Sequence, residues 1–267
     1  MIIDAHIHCS GDEKVDDVLQ ALDEAAVDKA IVLAPFLSGN YTLSDGASLR
    51  AANQYLARLI ANHTDRLIGF AVVNPSLANA PEDLRHAHDL GLPGLKMVPA
   101  GWYPYDDCAH RIYETASALK IPILFHSGIF IDGKSGRFCR PAFYEAIRDY
   151  PNLRVTLAHL GWPWPDEANA VGLIDLINGV PPDKSQFRFD ISFGAPPIYR
   201  LEVLRKAIAV LTPELLQFGS DVFLPCSGEL IKSRINDVSE LLERLDIDKR
   251  SRKRIMGGTA AAWLGIS

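Results

Sequence analysis

Four cysteines occur in 267 residues, at positions 9, 108, 139 and 226, and no two of them make a CxxC pair. Neither a zinc knuckle nor a redox dithiol is suggested, and reduced thiols are the expectation. Long apolar runs are missing as well: stretches such as 30–37 fall far short of the roughly 20 residues that a membrane-spanning helix needs. No basic segment followed by an apolar one precedes the first strand-like run, so a soluble, unexported, cytoplasmic protein with no membrane partner is expected. Positive charge is in deficit, with 27 Lys and Arg against 33 Asp and Glu and a net charge of −6. Nucleic acid is therefore not expected as a partner, because binding a phosphate backbone relies on clustered cations. No GxGxxG or GxxxxGK[ST] follows any strand-like run, which removes the usual support for a nucleotide-binding open sheet.

What the chain does have is a large apolar fraction, 48%, with 22% charged residues, enough to bury a sizeable core. Strand-length apolar runs alternate with amphipathic segments from end to end. The runs are 2–8, 30–34, 67–73, 94–98, 121–126, 154–159, 187–192 and 215–219. Helical patterns follow at 15–26, 49–62, 81–90, 108–119, 141–150, 166–177, 199–210 and 231–245. Eight strands each followed by a helix is the count of a TIM (β/α)8 barrel, here expected as one domain over residues 1–267. The tail from Arg254 reads as a last short helix closing over the barrel.

The chemistry gathers at strand ends. Ile3-Asp4-Ala5-His6-Ile7-His8 closes the first run with two imidazoles at i and i+2, a spacing that aims both to one face of a strand and lets them bind one cation. His126 ends the fifth run, His159 the sixth, and Asp221 follows the eighth. A closed barrel brings these ends around one mouth; an open sheet does not. Three imidazoles and a carboxylate, His6, His8, His126 and Asp221, form a donor set suited to Zn²⁺ and acceptable to Mn²⁺, Fe²⁺ or Co²⁺. Asp221 is either a direct ligand or a base for an activated water. His159 is then a general acid/base, or a hydrogen-bond donor to the water or to a substrate carbonyl.

The HxH of strand one, the strand-five histidine, Leu157-Ala-His159-Leu-Gly161 and Gly219-Ser-Asp221 resemble the amidohydrolase superfamily, in its branch that includes aminocarboxymuconate-semialdehyde decarboxylase. Gly94-Leu-Lys96 and the terminal Gly258-Thr-Ala-Ala-Ala-Trp-Leu-Gly265 extend the likeness over nearly the whole chain. The resemblance implies a distorted barrel, one divalent ion on His6, His8, His126 and Asp221, and a catalytic His159. In some relatives a carboxylated lysine on strand four bridges two ions, so Lys96 is either such a bridge, a salt-bridge partner or a substrate-carboxylate contact. The chain departs from the branch in having Trp162 after Gly161, where a second glycine is more usual, and Thr259 where an asparagine is common.

Loop residues furnish the rest of the expected pocket. Trp102 and Trp162 are placed to sandwich a flat substrate and Arg137 to hold a carboxylate, with Lys96 as a further contact. Asp190, alternating with Phe189 and Ile191, is expected at the mouth or as a partner behind a ligand. The leading function is a metal-dependent hydrolase acting on an amide, ester or lactone of a small, carboxylated organic molecule. The alternative is a metal-dependent nonoxidative decarboxylase of a small aromatic or unsaturated acid. A homodimer is compatible with the sequence.

Overall fold

The computed structural model describes residues 1–192 and 194–266. Its strands are β1 (Ile3–His8), β2 (Lys29–Leu33), β3 (Leu67–Val72), β4 (Gly94–Met97), β5 (Ile123–Phe125), β6 (Val155–Leu157), β7 (Phe187–Asp190), β8 (Leu216–Gln217) and β9 (Val222–Phe223). All pair in parallel in the order β8-β7-β6-β5-β4-β3-β2-β1-β9. The cylinder closes where β1 meets the end of the chain of strands: Ala5 N donates to Phe218 O at 3.0 Å, and β9 pairs with His8 of β1. β8 and β9 thus share the eighth barrel position, split by the segment 218–221. The result is a distorted TIM barrel.

Each strand hands over to a covering segment. The main helices are α1 (Val15–Glu24), α2 (Gly46–Ile60), α3 (Ala80–Asp89), α4 (Asp107–Leu119), α5 (Pro165–Ile177), α6 (Pro197–Leu211) and α7 (Gly228–Arg244). α2 starts three residues before the apolar pattern does. The Asp45 carboxylate accepts from Ala47 N and Ser48 N at 3.1 and 3.2 Å, satisfying donors that the first turn leaves open. The helix expected over 141–150 is instead a 3₁₀ run, Pro141–Asp149, whose buried Pro141, Tyr144 and Ile147 recur every third residue, the repeat of that tighter helix.

Two apolar layers result. The larger lies between the sheet and the outer helices and includes Ile7, Leu22, Leu56, Tyr113 and Leu211. The smaller fills the barrel interior with Ile3, Ala5, Leu33, Phe70, Leu124 and Trp263. Trp263 belongs to α9 (Thr259–Leu264), which follows α8 (Lys249–Lys253) and a wide turn at Arg254–Gly258. The tail therefore closes the N-terminal end of the barrel and leaves the C-terminal mouth to the functional groups. Among the described residues, no helix is long and apolar enough to cross a membrane.

The first strand carries the device that shapes the mouth. Ile3 and Asp4 pair with Lys29 and Ala30, yet Ile7 and His8 pair with Val32 and Leu33, so Ala5 and His6 together stand opposite Ile31 alone. This bulge shifts the alternation by one residue. Ile3 and Ala5 face the barrel core, and past the bulge His6 and His8 do too, while Ile7 packs outward among the helices. Asp4 holds the irregularity: its Oδ1 accepts from His6 N at 3.1 Å and from Ser220 N at 2.9 Å. Burial pushes the Asp4 carboxyl up to about 7, against those two donors.

Candidate metal centre and active site

His6, His8 and Asp221 converge at the mouth. His6 Nε2 lies 3.1 Å from His8 Nε2, His8 Nε2 lies 3.1 Å from Asp221 Oδ1, and His6 Nε2 lies 3.4 Å from that same oxygen. Donors about 2.1 Å from a tetrahedral ion stand roughly 3.4 Å from one another, so the three atoms already have the mutual spacing of ligands around one cation. Behind them, His6 Nδ1 donates to Asp190 Oδ2 at 2.6 Å, which fixes the tautomer and leaves the Nε2 lone pair facing the cluster. Asp190 is fully buried. Burial alone raises its carboxyl, but the charge and hydrogen bond of His6, with His159 and Ser192, outweigh that and hold it at about 2.

The eighth strand breaks to deliver Asp221. Its backbone is left-handed, φ 56°, and its N–H donates to His6 O at 2.8 Å, so the ligand carboxylate is tied to the strand that carries the ligand imidazoles. A side chain at Gly219 would place its Cβ 2.7 Å from His6 Cβ, and only glycine permits this approach. Burial raises the Asp221 carboxyl, but the charges of His6 and His159 and the bond from His8 reverse this and keep it ionised well below the ordinary range.

His159 sits two residues beyond β6, not on the strand, because His159 and Leu160 turn to φ 60° and 47° and leave the ladder. Such backbone is costly for residues with side chains and is concentrated at functional sites. Its Nδ1 is hydrogen-bonded to Ser192 Oγ at 2.8 Å and lies 4.0 Å from Asp221 Oδ2. The His159 ring stacks at 5.3 Å on His6 and stands 5.0 Å from His126. A Cβ on Gly194 would come within 2.5 Å of His159 Cβ, so the β7 loop presses directly on this residue. Burial lowers the pKa of His159, and likewise of His6, His8 and His126.

His126 lines the same cleft but is not drawn into the three-atom cluster. Its Nε2 donates to Ile129 O at 2.8 Å, and in that tautomer the nitrogen left with a lone pair is Nδ1. Lys96 is almost wholly buried, and its Nζ donates to His6 Nε2 at 3.1 Å. Burial brings its ammonium down to about 8, against the pull of Asp221 and Asp190.

The mouth cleft, about 360 Å³ including its open end, has His8, Lys96, His126, His159 and Asp221 as its floor and Phe36, Val98, Phe130, Ile131 and Phe223 as walls. Of the substrate contacts expected from sequence, Lys96 alone lines it. Trp102 is 2% exposed and packs in the helix-side core. Trp162 is half-buried with its ring 5.0 Å from Tyr199, and Arg137 is exposed with its guanidinium 4.8 Å over Phe138. The phenylalanine walls, Asp4 and Ser192 were not legible as site residues. For Asp4 a signal existed, a lone carboxylate inside an apolar strand.

A family model described as amidohydrolase matches residues 3–266. Among solved structures, 5-carboxyvanillate decarboxylase from Sphingomonas paucimobilis is similar with a TM-score of 0.69 at 17% identity, over 100% of this chain and 99% of that one. 2,6-Dihydroxybenzoate decarboxylase from Rhizobium gives 0.69 at 15%, over 99% and 98%. A probable 2-pyrone-4,6-dicarboxylic acid hydrolase from Acinetobacter baumannii gives 0.62 at 17%, over 99% of each chain. At these identities the likeness establishes a shared fold. No protein of curated function matches the sequence.

Proposed function

The chain belongs to the amidohydrolase family, whose members are enzymes of hydrolase or carboxy-lyase type, and on that premise we propose that it is a metal-dependent hydrolase of a small carboxylated amide, ester or lactone. The observation that carries this reading is the double engagement of Asp221. One oxygen joins the ligand cluster at His8, and the other lies 4.0 Å from His159. A single carboxylate thus links the cation site to a buried, neutral imidazole, which is what moving a proton from an attacking water to a leaving group requires.

A divalent ion would be held by His6, His8 and Asp221, with His126 as the further ligand expected from sequence, and would supply Lewis acidity and lower the pKa of a coordinated water; zinc suits that donor set. The chain's own residues do the rest. Asp190 orients His6, and Ser192 orients His159. Ionised Asp221 receives the proton of the attacking water and passes it to neutral His159, which delivers that proton to the departing group. The Lys96 ammonium at the floor attracts the substrate carboxylate, while Phe36, Phe130 and Phe223 exclude water from the reacting bond.

Decarboxylation is the second reading, and the apolar walls favour it: a small aromatic acid fits with its ring between the phenylalanines and its carboxylate at the floor. Panels of small lactones, amides and aromatic acids, assayed with the zinc- or manganese-loaded protein for proton release and for carbon dioxide release, separate the two. Incorporation of ¹⁸O from labelled water into the product, accompanied by proton release for a lactone, supports hydrolysis. Carbon dioxide release without ¹⁸O incorporation replaces it with the second reading.

A further inference from the structure

A second cleft, about 560 Å³ including its open end, lies between α6 and α7 and reaches the mouth groups from behind. Its inner end is formed by His159, Ser192 and Gly219. Its walls are mostly apolar, with Ile191, Leu204, Val238 and Leu241, and Arg200, Arg234 and Asp237 line it as well. Arg200, Asp237 and Leu241 also line a surface groove with Glu240 and Arg244, so the cleft runs outward to solvent. His159 belongs to the walls of both this cleft and the mouth cleft. A molecule whose reacting carbonyl lies beside His159 therefore has two directions in which to extend.

We infer that the α6–α7 cleft is a subsite for the apolar arm of the substrate, which makes the substrate class an elongated acyl compound with its carboxylate at Lys96 and a hydrocarbon or phenyl arm between Leu204 and Val238. The inference rests on the reading of His159 as the group beside the reacting bond. Its physical basis is continuity and polarity. The cleft reaches the candidate proton-transfer residue, and most of its lining, including Ile191, Val203, Leu204, Val238 and Leu241, is hydrocarbon that an apolar arm covers at no cost in lost hydration. The mouth cleft already accommodates the charged end at Lys96.

The test is calorimetric titration of the zinc-loaded protein with the linear alkanoates from acetate to octanoate. Wild type should bind about fourfold more tightly for each added methylene until the cleft is full. Leu204→Trp and Val238→Trp, which fill the cleft from opposite helices, should each flatten that slope and leave acetate binding unchanged, with folding verified by melting. A slope that persists in both variants puts the arm in the mouth cleft and overturns the proposal, as does a wild type indifferent to chain length. Metal content and ester hydrolysis measured on the same samples report on the hydrolase reading separately, since the slope needs no turnover.

Discussion

The Lys96 ammonium donates to the same nitrogen of His6, Nε2, that faces His8 and Asp221, at 3.1 Å. A fixed cation beside a cation site opposes a bound ion by charge, yet it is placed to receive a substrate anion from the cleft. We expect about one divalent ion per chain by elemental analysis, lost in the His6→Ala/His8→Ala double variant. Lys96→Met should keep that ion and raise KM for carboxylated substrates by roughly tenfold or more. Two ions per chain, lost together in Lys96→Met, would instead mark a carboxylated Lys96.

His159→Asn should keep the metal and the melting temperature and lower kcat by roughly 10²–10⁴-fold, the usual worth of a positioned proton transfer. Metal content and kcat measured on one preparation decide the role. Loss of metal makes His159 a ligand, and unchanged turnover removes it from the mechanism.

Asp190 touches no substrate-facing surface and acts through His6. Asp190→Asn leaves the volume intact but removes the charged acceptor at Nδ1, so metal affinity should fall by about 10–100-fold. A competition titration with a chromophoric chelator reads this directly.

Stability of the metal-stripped protein should fall as the medium is acidified below neutrality. His6, His8, His126 and His159 are all held below their ordinary 6.5 by burial, so the unfolded chain takes up protons first. A depressed histidine contributes stability that is present above 6.5 and is lost as pH falls from there toward the folded value. Asp4, raised to about 7, runs the other way between 3.8 and 7, but it is one group against four. The melting temperature measured in chelator should therefore be lower at pH 5.5 than at pH 7.5, and a higher value at pH 5.5 would contradict the assignment.

Arg137→Ala should leave KM for carboxylates within about twofold of wild type, because its guanidinium rests on Phe138 outside the cleft. Steady-state kinetics on two or three acids suffices to check this.

Periodicity made the barrel legible. Period-two and helical patterns are local, and eight repetitions leave few alternatives, so the strand order and the placement of His6, His8, His126 and Asp221 at or just past strand ends could be read along the chain, whereas the turn that takes His159 off the sixth strand could not. The i, i+2 spacing of His6 and His8 also foretold their common face. It could not foretell that Ile3 and Ala5 share it. That depends on a bulge held by Asp4 through Ser220, a contact spanning 216 residues of sequence. The wall and floor of the pocket escaped for the same reason. Which aromatic in a loop lines a cleft, as Phe36 and Phe130 do, and which is buried elsewhere, as Trp102 is, depends on how each loop packs against others remote in sequence. Residue type and local spacing determined what chemistry was at hand and at which end of the barrel. Only the tertiary fold decided the distances, because hydrogen bonds such as those of Asp190 to His6 and Lys96 to His6 form when distant strands close into a cylinder.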